Sequence, residues 1–402
     1  MIFAFGLLIP VLGYGIGYIF IYRKADVDNS EEQARSGRSE RRIDIVIPVR
    51  NESELLGKKL GNLASQSYPQ HLTHVIVIDS AVDNQSEEVV REFSSKHPDL
   101  NIDFVKDTVR KGKANALNEA FRRCTGEICI ITDVDVLLGE QAISNLVYKF
   151  QDPQVGAVSG IEVLLRSGRI LDDVAAYRNF YNKLRIAESQ IDSVLMCESE
   201  LSAYRRDLLT DISEATQCDD MQLALNVRLR GYRAIYDPDT SFYESEGANR
   251  REMLSQKVRR ARANIHELLR NAHLVFSSRL GRFSRVVLPF EIFLNIVAPV
   301  SLFISVVAYL LTLTDPAARI LSTTLLCALA LSTVAASGFL NARPTSMAGF
   351  LRNLKDGATF LFSFIEFNIT LVVALVLVLT RGPQTSWNPI LRGVEGRADW
   401  AT

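Results

Sequence analysis

Two pairs of aspartates, a lysine-flanked glycine and a short arginine run are the residues whose types and spacing could do chemistry. Asp133 and Asp135 are separated by one residue in "ITDVDV" and end a greasy stretch that begins at Ile128. Such a pair has two readings. It is either a site for a hard divalent cation, Mg²⁺ or Mn²⁺, which takes carboxylate and phosphate oxygens together, or a polar strand end before a turn. Asp219 and Asp220 form a second acidic pair, in "CDDMQLAL". Adjacent like charges raise at least one pKa, which suits a general base near neutral pH. The plainer alternative is an acidic pair that complements the dipole of a helix start. "QKVRR" (Gln256–Arg260) offers guanidinium groups whose fixed donor geometry matches phosphate, and Lys111-Gly112-Lys113 offers ammonium groups. Both basic stretches also read as surface charge on helices.

Positioning such groups requires a scaffold, and the spacing of apolar residues supplies one. "IDIVIPV" (Ile43–Val49) is a nearly continuous β-branched run, as a strand buried on both faces requires. Leu55, Leu56, Leu60 and Leu63 then recur at helical spacing. "HVIVID" to Asp79, "NIDFV" and "EICIITDVD" repeat the strand signal, with helical patterns at Glu87–His97 and after Lys113 between them. Four β-α units predict an α/β fold with a mainly parallel sheet and ligands at the strand carboxyl ends. Asp79, Asp133 and Asp135 fall at such ends. The region from Val155 onward is less regular, with a helix expected over Asp173–Ile191, and a helix, a stop at Gly231 and a strand after Cys218.

Composition is uneven along the 402 residues, and that decides the class. Met1–Tyr22 carries no charge and is long enough to cross a bilayer at ~1.5 Å per residue. It has no basic n-region or small-x-small cleavage site and runs into Arg23-Lys24, so it reads as an uncleaved anchor. Val286–Leu313, Ile320–Leu340 and Ala358–Thr380 are similarly apolar. The expected division is an anchor (1–22), a linker (23–42), a soluble domain (43–248), a basic amphipathic interfacial segment (249–285), a transmembrane region (286–380) and a tail (381–402). Basic residues after the anchor place the soluble domain in the cytoplasm of a multi-pass cell-membrane protein that contacts lipid. A net charge of −1 gives no reason to expect nucleic acid as a partner. Five cysteines without a C-x-x-C pair fit a reducing compartment.

Taken in order, "IPVRNE", "VIVIDSAVD", "KGKANALN", "TDVDV", "CDDMQLAL" and "QKVRR" resemble the motifs of membrane-embedded family 2 glycosyltransferases, the group containing cellulose, chitin and hyaluronan synthases. The resemblance covers about residues 43–262 and the flanking apolar pattern. It implies a GT-A-like nucleotide-sugar-binding domain flanked by transmembrane helices. It implies that Pro48, Arg50, Glu52 and Asp79 hold the base and ribose, and that the ammonium groups of Lys111 and Lys113 meet the nucleotide. Asp133 would serve ribose or metal, and Asp135 would bind a Mg²⁺ or Mn²⁺ ion that bridges the phosphates. Asp220 would be the general base beside Asp219, with Gln256, Arg259 and Arg260 near the donor diphosphate or acceptor. The implied reaction is inverting transfer from a nucleotide-diphosphate sugar, by family expectation a UDP-sugar, to a hydroxyl of a saccharide or a lipid-linked acceptor. A polyprenyl-phosphate acceptor and a non-catalytic nucleotide-sensing receptor are the alternatives. Three departures stand out: Arg260 replaces the family tryptophan, Ser80-Ala81-Val82 lacks the usual turn glycine, and the small-residue acceptor loop reads Met196-Cys197-Glu198-Ser199-Glu200.

Overall fold

The computed structural model describes residues 40–109, 112–164, 171–213, 216, 218–244, 250–324, 326–327 and 347–381. The expected anchor, most of the linker, Lys111, the tail and much of the 320–340 apolar stretch lie outside the described residues.

The β-branched runs form the strands that their burial demands. β1 (Ile43–Val49), β2 (Thr73–Asp79), β3 (Asn101–Lys106) and β4 (Ile128–Thr132) lie parallel in the order β3-β2-β1-β4. Their side chains divide by alternation. Ile43, Ile45, Ile47, Val75, Val77, Ile128 and Ile130 face helices α1 (Ser53–Ala64), α2 (Gln85–Lys96) and α4 (Ala142–Lys149). Val46, Ile76, Ile78, Cys129 and Ile131 face α3 (Lys113–Phe121) and α6 (Asp219–Leu229). Both faces are therefore dry, which is why the runs do not alternate with polar residues.

Beyond β4 the sheet turns mixed. β7 (Leu201–Arg205) pairs antiparallel with β4 and with β6 (Val155–Leu164), β8 (Arg233–Glu244) runs parallel to β6, and β5 (Val136–Leu138) closes antiparallel on β8. Four of the seven pairings are parallel. The β6–β8 ladder slips between Ser159 and Ile161, where Pro238 interrupts β8. Proline has no N–H for the ladder. The strand bulges there, with Thr240 Oγ1 donating to Asp237 Oδ2 over 2.6 Å.

Helix α5 (Leu171–Ile191) and helix α7 (Arg250–Asn271) connect this domain to the C-terminal helices. Ala263 and Leu268 of α7 pack toward Met221 and Leu225 of α6, and Ala261 and Ile265 toward Leu371 and Ala374. Helix α8 (Phe283–Leu311) and the Leu361–Arg381 part of helix α9 (Met347–Arg381) are long and apolar enough to cross a membrane. Each is tied to the domain by charge. Arg185 of α5 donates through Nη1 to both Glu188 Oε2 (2.7 Å) and Glu291 Oε1 of α8 (2.8 Å), all three buried. Lys257 of α7 meets Glu366 of α9 at 2.7 Å.

At the opposite edge of the sheet, His74 sits between two carboxylates, with Nδ1 2.8 Å from Asp44 and Nε2 3.1 Å from Asp103. The hydrogen bond to Asp44 is the main cause that raises the His74 pKa above its ordinary value. A raised folded pKa adds stability that is fully present below the unfolded value of about 6.5 and is lost as pH climbs through the folded value. The melting-temperature difference between wild type and His74→Gln should therefore be largest in mild acid and shrink as buffer pH is raised past neutrality. A difference that grows with pH would contradict the assignment.

Candidate active site

The carboxyl ends of the parallel strands converge on one edge. β1 ends at Val49 in register with Asp79, and Asp79 in register with Lys106. Pro48, Arg50 and Glu52 are partly buried there, with Asn51 between them in a left-handed conformation (φ 57°) that turns the chain into α1. Asp79 is fully buried, and both of its oxygens are engaged: Oδ1 accepts from the Ala81 N–H (2.8 Å) and Oδ2 from Lys106 Nζ (3.0 Å). That carboxylate organises the turn after β2, and the partly exposed groups beside it are Ser80 and Lys106.

One strand away, β4 ends at Thr132 and β5 starts at Val136, so Asp133-Val134-Asp135 is a tight turn between two strands. Val134 is buried while both aspartates are partly open. Gly112, at φ 105°, bends the chain so that Lys113 opens α3 and reaches Asp133 Oδ1 at 2.7 Å. Burial alone would lower the Lys113 pKa, but the charges of Asp133, Asp219 and Glu200 outweigh it and hold the ammonium well above the ordinary lysine range. The Asp133 carboxyl is raised as well. Burial lifts it to about 6, with Lys113 opposing and Glu200 and Asp135 adding to the rise.

The second acidic pair opens α6, as its helix-start reading required. Asp220 is raised to about 8, by burial first and then by the neighbouring charges of Asp219 and Glu200, with Lys113 opposing. Arg259 on α7 is within electrostatic reach of Asp219, Asp220 and Glu200, and Arg260 donates to Glu200 Oε1 at 3.1 Å. Gln256 lies one turn earlier on the same helix and is partly exposed. The structure thus gathers Lys113, Asp133, Asp135, Asp219, Asp220, Arg259 and Arg260 into one charged cluster. Pro48, Arg50, Glu52 and Asp79 occupy the adjacent strand ends on the β1–β2 side.

One contributor to this region was not singled out in the sequence. Lys59 of α1 is fully buried beneath the Asp133–Asp135 turn, where loss of hydration lowers its pKa to about 7 against the pull of Asp133 and Asp135. A lysine on the same helical face as Leu55, Leu56, Leu60 and Leu63 was the available signal. The two acids of the "CESE" loop have specific partners. Glu200 is buried against Arg260, and Glu198 accepts from the Tyr236 hydroxyl (2.7 Å) and faces Arg178 at 3.7 Å.

Two partly exposed carboxylates on one turn fit a cation of the Mg²⁺ or Mn²⁺ type, which uses one or two protein carboxylates and completes its shell with phosphate oxygens and water. Among the described residues no group of three or more His, Cys, Asp or Glu could hold a metal alone. The donor set thus suits a site that a phosphate-bearing ligand completes.

A sheet edge that presents acidic turns and basic helix starts to one ligand is the arrangement of a nucleotide-sugar-binding α/β domain. The model for "Glycosyltransferase like family 2" matches residues 41–263, more than half of the chain, and the chain belongs to that family. An N-acetylglucosaminyltransferase of Rhizobium meliloti (strain 1021) is 26% identical over 242 residues, 56% of each chain. A poly-beta-1,6-N-acetyl-D-glucosamine synthase of Staphylococcus epidermidis is 24% identical over 286 residues, 69% of this chain and 66% of that one. The chain thus spans between half and two thirds of these curated relatives. The solved mannosyltransferase PcManGT from Pyrobaculum calidifontis, in complex with GDP-Man and Mn2+, aligns with a TM-score of 0.71 and 27% identity over 94% of this chain and 99% of that one. The fold is GT-A-like.

The segment leading to Asp219 is pinned by one buried amide. Asn118 of α3 donates to the Ile212 carbonyl (2.8 Å) and accepts from the Ile212 N–H (2.7 Å). Asn118→Ala leaves both backbone groups without that partner, which should cost ~1–3 kcal/mol. The check is the midpoint of chemical unfolding, expected to fall well outside error.

Proposed function

We propose that this chain is an inverting, cation-dependent glycosyltransferase that moves a hexose or hexosamine from a nucleotide-diphosphate sugar to an acceptor hydroxyl. The observation that carries it is the charged cluster, in which Lys113 joins Asp133 of one acidic pair to Asp219 of the other. The first acidic pair would face the diphosphate and the second the acceptor.

In this reading Asp220 takes the proton of the acceptor hydroxyl as its oxygen attacks the anomeric carbon, and the nucleoside diphosphate leaves from the opposite face. A carboxyl raised by burial and like charge holds that proton better than an exposed one. Arg259 and Lys113 supply fixed positive charge toward the leaving diphosphate. Asp135 and Asp133 would hold Mg²⁺ or Mn²⁺, which contributes Lewis-acid stabilisation of the charge on the departing phosphates. Pro48, Arg50, Glu52 and the Asp79–Lys106 corner would bound the base and ribose, and Gln256 and Arg260 the acceptor side. Arg260 pairs with Glu200 where the family motif carries tryptophan, so an aromatic platform is replaced by a polar ion pair.

A hydroxyl acceptor, on a saccharide or a lipid-linked sugar, is favoured over a lipid phosphate because the phosphate is already ionised and needs no base. The names of the curated relatives point to N-acetylglucosamine, and the motif resemblance to uridine. The GDP-Man held by the solved relative makes guanosine the competing base. Residues 43–248 would form the catalytic domain on the cytoplasmic face, followed by the segment 249–285 and membrane helices. Apolar side chains left exposed along α8 and α9, among them Phe303, Val307, Leu311, Ile369 and Val373, support lipid contact.

Turnover of a panel of UDP- and GDP-sugars with Mn²⁺ or Mg²⁺, followed by chromatography of the labelled product, tests the proposal. Asp220→Asn should lose ~10²–10⁴-fold in kcat with the fold intact. A variant as active as wild type would remove Asp220 from the base role, and binding without turnover in wild type would favour a nucleotide sensor. Because the base works as the carboxylate, kcat/KM should rise with pH along an acid limb centred near the Asp220 value of about 8. A profile flat from mild acid upward would contradict this.

A further inference from the structure

Helix α1 places a polar stripe on its buried face. Lys59 and Asn62 of this helix reach the strand that follows the D-x-D turn, and Gln66, just past the helix end, reaches the glycine that follows that strand. Asn62 makes a two-way clasp with Leu138, donating to its carbonyl (3.0 Å) and accepting from its N–H (2.8 Å). Gln66 donates to the Gly139 carbonyl at 3.0 Å. Lys59 does something different from the other two. Its ammonium donates to Thr132 Oγ1 at 2.7 Å and to the Val136 carbonyl at 2.9 Å, the residues that immediately precede and follow Asp133-Val134-Asp135. It therefore closes the neck of the turn from below. Thr132 Oγ1 in turn donates to the Glu200 carbonyl at 2.8 Å, so the brace continues into the loop that carries the Arg260 partner.

We infer that Lys59 is a positioning residue for the carboxylate corner: it fixes the spacing of Thr132 and Val136 and so pre-sets Asp133 and Asp135 to receive a divalent cation. Burying a lysine completely is costly unless its donors are satisfied, and a methyl-bearing side chain would fill the same space without that cost. The ammonium instead donates to the two ends of the turn. Two opposing effects follow from its removal. Loss of a nearby positive charge would favour a cation, whereas loss of the brace leaves the Val136 carbonyl without its side-chain donor and the turn free to open. The aim of two carboxylates at one ion depends on geometry within a few tenths of an ångström, so the brace governs. Groups that orient metal ligands from behind typically contribute ~10–100-fold to metal affinity.

This inference rests on the proposed cation role of Asp133 and Asp135, and the experiment separates the two. Mn²⁺ binding to the full-length protein is measured from the paramagnetic-resonance signal of free Mn²⁺, with UDP or GDP present. Lys59→Met and Thr132→Val should each weaken Mn²⁺ binding by ~10–100-fold, and the double variant by little more than the worse single one. Thr132→Val keeps Lys59 and carries the test if Lys59→Met does not fold. Asn62→Ala, which loosens β5 beyond the neck, should lower the melting temperature yet leave Mn²⁺ affinity within about twofold. Unchanged or tighter Mn²⁺ binding by Lys59→Met, or equal weakening by Asn62→Ala, overturns the inference while wild-type binding remains. Wild type that binds no Mn²⁺ with either nucleotide overturns the cation reading beneath it.

Discussion

Asp133, Asp219 and Glu200 share one neighbour, the Lys113 ammonium group, and the site is arranged around that shared charge. Bringing three carboxylates and the adjoining Asp135 and Asp220 to one sheet edge is unfavourable without interleaved positive groups. Lys113 sits between the two acidic pairs, Arg259 and Arg260 approach from α7, and Lys59 lies beneath. These positive groups come from α1, α3 and α7 and the second acidic pair from α6, so the charge balance holds only when all four helices are docked on the same sheet. Electrostatics here follows from tertiary packing and in turn penalises any misplacement of one helix.

The sheet divides the labour. Its parallel half supplies rigid, doubly buried strands whose ends are set by register, Val49 against Asp79 and Asp79 against Lys106. The mixed half supplies adaptability. β5 is three residues long and is held as much by side chains of α1 as by its ladder with β8. A short strand clasped by side chains can be placed where a turn needs it, which a long buried strand cannot.

Much of this was legible in the residues, and the limits of legibility have physical causes. β1, β2 and β4 announced themselves because strands covered on both faces must be apolar throughout, and their polar ends then marked the ligand edge. β7 went unread because "LSAYR" is short and half polar, although four of its five residues are buried. The expected mainly parallel sheet is mixed at its far side because β7 returns antiparallel beside β4, a pairing that no local pattern announces. Asp79 matched a motif by position, but its full burial against Lys106 and Ala81 depended on a strand neighbour. The segment 249–285 showed apolar and basic residues together and suggested a helix lying on a bilayer. In the fold, α7 packs Ala263 and Leu268 toward α6 and Ala261 and Ile265 toward α9, partners that no local pattern announces. Lys59 was hidden by its own type: a lysine in a leucine pattern is usually a surface residue at the edge of the stripe.

The ties between the domain and the apolar helices bear on how such chains can be recombined. Arg185 is neutralised by Glu291 of α8, and Lys257 by Glu366 of α9, so each half of the molecule holds counter-charges for the other. A shortened chain that ends before Phe283 would leave Arg185 with Glu188 alone and break up a buried three-membered charge cluster, which costs more than losing an exposed ion pair. Grafting the catalytic domain onto the apolar helices of a relative would succeed only if that relative carried acids at the same two places. Each module is thus electrostatically completed by the other.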